Sequence, residues 1–148
     1  ANATLEGIEV EAVYDSRFFF LRATYSEIEG TDNDTGGVAG NLFPNKLFVD
    51  AAVTIPSAAL RVGARGTFAD DFTQVDDPSR RRDAYNVYDL YAVWQPTVGP
   101  FDGLRLDVGV DNVTDEDYEV VSNGVSEEGR NYKVGLSYRI SFCGSRVC

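Results

Sequence analysis

The stretch that decides the fold is YKVGLSYRISF, which runs from Tyr132 to Phe142. Apolar and polar side chains alternate along it. The apolar set is Tyr132, Val134, Leu136, Tyr138, Ile140 and Phe142, and the polar set is Lys133, Ser137, Arg139 and Ser141. Because successive side chains of a β-strand point to opposite faces, this alternation predicts a strand with one apolar and one polar face.

The same alternation recurs in six earlier segments, at residues 8–14, 19–25, 46–55, 60–68, 88–95 and 104–111. Their apolar face carries no charged residue, although charged residues make up 25% of the chain. No segment sustains the i, i+3, i+4, i+7 spacing of an amphipathic helix. The sequence therefore predicts an all-β protein, an antiparallel up-and-down meander of about seven strands.

The connections between these segments alternate in length. Short connections fall at residues 15–17, 56–59 and 96–103, whereas long polar connections fall at residues 29–45, 70–84 and 115–130. Every second connection of a meander lies at the same rim. One rim is therefore expected to be tight and the other to carry long loops.

Three features favour a membrane barrel, with the apolar face turned to lipid. The segments are about 9 to 13 residues long, which suffices to cross a bilayer at a tilt. Aromatic residues cluster at the segment ends, and short turns face long loops across the sheet, as in outer-membrane barrels. The alternative is a soluble, lipocalin-like antiparallel barrel that packs the apolar face inward around a small apolar ligand.

In the membrane interpretation the polar face lines the lumen and carries both signs of charge. These lumen residues are Glu9, Glu11, Asp50, Asp89, Asp107 and Asp111 beside Arg22, Arg61, Arg65, Arg105, Lys133 and Arg139. Bacterial single-chain barrels have an even number of strands, eight or more, so about seven strands would not close. Residues 1–142 are therefore expected to be one sector of a longer barrel, and residues 143–148 a short tail.

Composition excludes several classes of function. The 148 residues contain 24 acidic and 13 basic side chains, for a net charge of -11, which disfavours binding to nucleic acid. The chain contains no His, which removes Ser-His and Cys-His catalysis and imidazole metal sites. Paired carboxylates such as Asp70 and Asp71 point opposite ways on a strand, so no catalytic pair is predicted and the protein is not expected to be an enzyme.

Two stretches resemble the closing strands of TonB-dependent outer-membrane receptors. They are DNVTDEDY at residues 111–118 and GRNYKVGLSYRISF at residues 129–142. The first is similar to the family's Asn-apolar-x-Asp-x-x-Tyr segment, which climbs to the last extracellular loop, and the second to the terminal strand. Residues 7–11 also look like a family strand that precedes the end by several hairpins. Residues 88–96 and 103–111 are most similar to the haem or haemoglobin receptor branch, and the resemblance spans residues 2–142.

The resemblance implies a C-terminal barrel sector in the outer membrane of a Gram-negative bacterium. It implies active uptake of an iron-bearing ligand, such as haem or a ferric siderophore, with a plug domain and TonB contacted through an N-terminal part that this sequence lacks. It also implies an assembly signal on the terminal strand, read by the barrel assembly machinery. The positions that match this signal are Lys133, Gly135, Tyr138, Ile140 and Phe142. A passive, porin-like channel without a plug remains a third hypothesis.

Several further motifs are weighed against simpler interpretations. Arg80, Arg81 and Arg82 could contact an anionic ligand from a loop, although flanking Asp residues also suit a solvated loop. Residues 32–37 begin like a calcium loop but lack the Glu at its twelfth position, so an acidic turn is expected and no metal site is predicted. No cofactor is expected within the chain. The thiols of Cys143 and Cys148 could form a small disulfide, or the tail could be a terminal remnant without function.

Overall fold

A computed structural model describes residues 2–39, 42–120 and 125–140. Seven strands form one sheet in the order β1 to β7, and each pairs with its sequence neighbour in antiparallel fashion. They are β1 (Ala3–Asp15), β2 (Phe19–Asp32), β3 (Lys46–Ile55), β4 (Leu60–Ala69), β5 (Tyr85–Trp94), β6 (Leu104–Asp111) and β7 (Asn131–Tyr138). The predicted all-β meander of seven strands is confirmed.

Two short 3-10 turns interrupt the connections, at Pro56–Ala58 and Pro78–Arg80. Pro begins both, because its fixed φ suits the first helical position and its missing N–H is not needed there. Within the described ranges, no helix is long and apolar enough to span a membrane.

Strand boundaries differ from the sequence prediction, since β1 begins at Ala3 rather than residue 8 and β5 at Tyr85 rather than residue 88. Residues 29–32, predicted as the start of a loop, continue β2 because they pair with Ala3 to Glu6 of β1. The last strand ends at Tyr138 rather than Phe142, although the Arg139 N–H still donates to the Gly103 carbonyl at 2.8 Å. Residues 141 and 142 lie outside the described part of the chain.

The register places the predicted apolar residues on one continuous face. A single cross-strand row runs through all seven strands: Tyr14, Leu21, Ala51, Ala64, Leu90, Val110 and Tyr132. A slip of one residue between any two strands would mix the faces. The period-two pattern therefore excludes a one-residue slip between neighbouring strands.

This apolar face finds no partner within the described residues. Its side chains are largely exposed, and Val134 reaches 78% and Leu136 71%. The buried apolar residues lie elsewhere, in a loop or on the polar face: Ala39, Ala52, Ala69, Tyr85 and Val87. A soluble barrel would bury the apolar face, so this arrangement does not favour the lipocalin-like alternative.

Aromatic rings flank the apolar face near both rims. At the tight rim Tyr14 lies 6.2 Å from Phe19, and Trp94 lies 5.7 Å from Phe101, measured between ring centroids. The Trp94 Nε1–H donates to the Ala58 carbonyl at 3.1 Å. At the loop-bearing rim Phe68 meets Tyr88 edge to face at 5.7 Å. Two aromatic girdles around an apolar band are typical of outer-membrane barrels.

The two outer strands each have one unpaired edge. In the described structure β1 pairs only with β2, and β7 pairs only with β6. Hydrocarbon does not tolerate unpaired backbone groups, so this sheet needs neighbouring strands on both sides in a membrane. The observed sheet is a barrel sector, as the strand count predicts.

Candidate functional site

The polar face of the sheet is concave and forms an open recess. Its volume is about 670 Å³. Charged side chains of both signs line it, contributed by β3, β4, β6 and β7: Asp50, Arg61, Arg65, Arg105, Asp107, Asp111 and Lys133. Because the charged face curves inward, the apolar face is the convex outer surface. The predicted orientation of the two faces is therefore the observed one.

Charges of alternating sign form a row across four strands of this lumen face. Arg22 of β2 pairs with Asp50 of β3, Asp50 with Arg65 of β4, and Arg65 with Asp89 of β5. The Arg65 Nε lies 3.5 Å from the Asp50 Oδ2. Opposite charges on directly paired residues attract, so the row favours the observed register over others that also keep the apolar face intact.

Tyr91 joins three strands through this row. It lies on β5, crosses over Gly63 of β4, and its hydroxyl donates to the Asp50 Oδ1 of β3 at 2.8 Å. The Arg65 guanidinium lies 4.5 Å from the Tyr91 ring centroid. A Cβ on Gly63 would come within 2.3 Å of the Tyr91 ring, so any other residue here would displace the ring from this crossing.

Ion pairs also neutralise the outer strands of the lumen face. The Arg22 Nε lies 3.0 Å from the Glu11 Oε1, and the Arg105 Nη2 lies 2.7 Å from the Asp107 Oδ1. Lys133 of β7 pairs with Asp111 of β6. These groups are partly exposed, so each pair is worth little in stability. Their effect is a lumen wall whose charges largely cancel locally.

The resemblance motif at residues 111–118 forms a buried turn around Asn112. Asn112 is 2% exposed and has a positive φ of 49°. Its side-chain Nδ2–H donates to the Glu116 carbonyl at 2.8 Å and its Oδ1 accepts from the Glu116 N–H at 2.8 Å. Its backbone N–H donates to the Asp89 Oδ1 at 2.9 Å. Asn suits this position because it tolerates left-handed backbone while bonding to its own turn.

The two resemblance motifs contact each other. The Asp115 Oδ1 accepts from the Arg130 N–H at 2.8 Å, and the Arg130 Nε–H donates to the Val113 carbonyl at 2.9 Å. Asp111 and Asn131 pair directly in the sheet. The start and the end of the last long loop are thereby fastened together. Sequence reasoning recognised each motif separately and did not predict this contact.

The last long loop also folds back onto the lumen face and builds a small apolar core. The core joins Ala69, Tyr85 and Val87 of the sheet to Tyr118 and Val120 of the loop. The rings of Tyr85 and Tyr118 lie 4.5 Å apart between centroids at an angle of 32°. Burial raises the pKa of the Tyr118 phenol, and the carboxylate of Glu127 raises it further, so this ring stays neutral at physiological pH.

We expect Tyr118→Ala to release this loop from the sheet. The substitution removes the ring stacked on Tyr85 and leaves a void in the core, at a cost of about 3 kcal/mol. Tyr118→Phe keeps the ring and serves as the matched control. Hydrogen exchange of residues 112–120 should quicken strongly in the Ala variant and little in the Phe variant, while exchange in β3 stays unchanged. Equal exchange in both variants would contradict a packing role for this ring.

The three consecutive arginines of the second long loop have different surroundings. Arg80 and Arg81 are exposed, whereas Arg82 is partly buried. The Arg82 Nε lies 2.8 Å from the Glu119 Oε2, which ties the second long loop to the third. The Asp77 side chain caps the 3-10 turn Pro78–Arg80 by accepting from the Ser79 N–H at 2.9 Å. This bond lowers the pKa of Asp77.

The acidic segment at residues 32–37 forms a tight turn. The Asp32 Oδ1 accepts from the N–H groups of Asp34 and Thr35 at 2.8 and 3.2 Å, and Gly36 takes a positive φ of 73°. The Asp76 Oδ1 accepts from the Val38 N–H at 3.1 Å, so the first and second long loops also touch. No group of three or more acidic or Cys residues suited to a metal occurs in the described ranges.

The residues of the expected assembly signal occupy both faces of the end of the sheet. Lys133 and Gly135 lie on the lumen face, opposite Gly109 and Asp107 of β6. Tyr138 and Ile140 are exposed. Phe142 lies outside the described residues, as do Cys143 and Cys148.

Comparison with known proteins identifies relatives over nearly the whole chain. No family model matches. Heme/hemopexin utilization protein C of Haemophilus influenzae (strain 86-028NP) is 31% identical over 139 residues, which are 93% of this chain and 20% of that protein. The hemin receptor of Yersinia enterocolitica is 26% identical over 138 residues, 93% of this chain and 20% of the receptor. TonB-dependent heme receptor A of Haemophilus ducreyi is 26% identical over 90% of this chain and 20% of its own length.

Solved structures share the fold. The copper transporter OprC superposes with a TM-score of 0.78 at 16% identity, covering 92% of this chain and 24% of the transporter. The FrpB iron transporter of Neisseria meningitidis (F3-3 variant) gives 0.76 at 20% identity, with the same coverage. This chain spans about a fifth of the length of its sequence relatives. The resemblance drawn from residues 111–118 and 129–142 is confirmed, as are the expected barrel fold and outer-membrane location.

Proposed function

We propose, on the premise that this chain is a relative of the TonB-dependent outer-membrane receptors, that it is the C-terminal sector of a receptor importing haem or another iron-bearing ligand. In this proposal the chain supplies barrel wall and extracellular loops and performs no catalysis. Its partners are outer-membrane lipid, the barrel assembly machinery, and a plug domain and TonB reached through the remainder of the receptor. Haem is the proposed ligand, because the names of the sequence relatives include heme or hemin.

One observation carries the wall assignment. A continuous apolar band crosses the convex side of all seven strands, while the charges on the concave side are largely paired. Lipid accepts the first surface, and a water-filled or plugged lumen accepts the second. The loops that fold over the lumen face lie at the rim opposite the tight turns. In outer-membrane barrels the long loops are extracellular, so these loops are placed at the ligand entrance.

The loops offer limited chemistry for haem. With no His in the chain, axial ligation to the haem iron by these residues would fall to Tyr, and other ligands would come from the rest of the receptor. We propose Arg80 and Arg81 as contacts to an anionic ligand, because both side chains are exposed at the loop-bearing rim. Arg82 is less suited, since Glu119 already engages it.

Growth of the parent bacterium tests this function. A strain lacking the complete receptor should fail to grow with haem as the sole iron source, and the complete receptor should restore growth only when TonB is present. A parallel culture with a ferric siderophore as the sole iron source distinguishes uptake of haem from uptake of another iron-bearing ligand. Restoration that does not depend on TonB would contradict active transport and would favour the passive channel.

A further inference from the structure

Arg61 differs from the other arginines and lysines that line the recess. Arg65, Arg105 and Lys133 each have a carboxylate partner there, as does Arg22 farther along the same face. Among the described residues Arg61 has no carboxylate within ion-pair distance. Its register partners on the neighbouring strands are Thr54 and Val93, which carry no charge. Among the four cations that line the recess in the described structure, Arg61 is therefore the one without a carboxylate partner.

The surroundings of Arg61 are those of a protein contact rather than of open water. Its guanidinium lies 4.6 Å from the Phe20 ring centroid, and both residues line the recess. The Arg61 Nε is shielded from solvent and has no hydrogen-bond partner in the described structure. A buried donor without an acceptor is unfavourable, so this position calls for an acceptor from outside the described residues. Phe20 and Val93 also present apolar surface to the recess beside Arg61.

Position along the strand distinguishes the occupant. Arg61 is the second residue of β4, directly after the tight connection at residues 56–59, so it lies at the rim opposite the long loops. In outer-membrane barrels the tight turns are periplasmic. A ligand entering through the loops would meet this position last, whereas a protein domain seated in the periplasmic half of the lumen would cover it permanently.

We propose that Arg61 and Phe20 form a docking site for an acidic side chain of the plug domain of the same receptor. The carboxylate would pair with the Arg61 guanidinium from the recess side, and apolar plug surface would cover Phe20 and Val93. The proposal rests on the proposed function, because a channel without a plug has no such partner. Arg61 and Phe20 would together hold the plug against this part of the wall.

Pore opening by urea in the complete receptor tests the proposal. Reconstituted in planar bilayers, the wild-type receptor should conduct only after urea loosens the plug. Arg61→Ala should open at a lower urea concentration, with the closed-to-open ratio at a fixed subthreshold concentration reduced about tenfold or more. The Arg61→Lys receptor should open at a urea concentration between those of wild type and Arg61→Ala. Lys keeps the charge but stacks less well on the Phe20 ring and cannot form bidentate hydrogen bonds.

Arg17→Ala is the matched control. Arg17 also lies over a phenylalanine, 5.2 Å from the Phe18 ring centroid, but in the tight turn after β1 and away from the recess. The Arg17→Ala receptor should open at the same urea concentration as the wild-type receptor. If Arg61→Ala does not assemble, Phe20→Leu removes the ring while keeping apolar volume, and it should also lower the threshold. Equal thresholds for wild type, Arg61→Ala and Phe20→Leu would overturn the docking site alone, whereas conduction by wild type without urea would overturn the plugged receptor as well.

Discussion

Val134→Arg should abolish assembly of the receptor in the outer membrane. Val134 lies near the middle of β7, pairs with Val108, and presents its side chain on the apolar face. A single arginine on the lipid face at the bilayer midplane costs about 2–4 kcal/mol. That cost lowers the ratio of folded to unfolded barrel about 30-fold or more when the two forms equilibrate. The fraction that migrates as a folded barrel without heating on a denaturing gel measures the effect.

The adjacent residue provides the control. Lys133 lies on the lumen face, already carries a cation and pairs with Asp111, so Lys133→Arg should assemble normally. In a soluble sheet the ranking would differ, because Val134 is 78% exposed and exposed substitutions usually change stability by about 0.5 kcal/mol or less. Normal assembly of Val134→Arg would therefore contradict a lipid-facing surface.

Asn112→Ala should release the last long loop at its origin. The substitution removes both side-chain bonds to Glu116 and leaves a backbone N–H and a carbonyl of a part-buried turn without those partners. Each such group costs about 1–3 kcal/mol. Alanine must also adopt the positive φ of this position, which costs a further 1–2 kcal/mol, roughly. Protease added to intact cells should cleave the loop at residues 112–130 in the variant and spare it in wild type.

Two variants separate the side-chain bonds from the backbone strain. Asn112→Gly relieves the backbone strain but, like Asn112→Ala, lacks the side-chain hydrogen bonds. Its loop should therefore be cleaved more slowly than that of Asn112→Ala. Asn112→Asp keeps the oxygen that accepts from the Glu116 N–H and should be cleaved more slowly as well. The barrel itself should assemble in all three variants, since β6 and β7 pair through backbone groups outside the turn. Wild-type resistance in Asn112→Ala would show that the loop is held without this turn.

The three long loops contact one another in a network that cannot be predicted from any single stretch of sequence. Asp76 bonds the first long loop to the second, Arg82 and Glu119 join the second to the third, and Tyr118 packs the third onto β5. The sequence identified Arg82 as a candidate ligand contact because a basic run stood out from its neighbours. It did not reveal that a carboxylate 37 positions later engages the guanidinium.

By itself the sequence determined the seven strands, their order as a meander and the two faces of the sheet. Those properties follow from a period-two pattern that each strand carries locally, and an error of one residue would expose charge on the apolar side, as at Arg22 or Lys133. Only the tertiary structure decided which loop residues meet. Tyr85 and Tyr118, or Asn112 and Glu128, come together through the path of irregular backbone, which obeys no period and depends on contacts between distant segments. It also decided that Arg61, among the described residues that line the recess, has no carboxylate partner: its neighbours across the sheet are Thr54 and Val93, whereas those of Arg65 are Asp50 and Asp89.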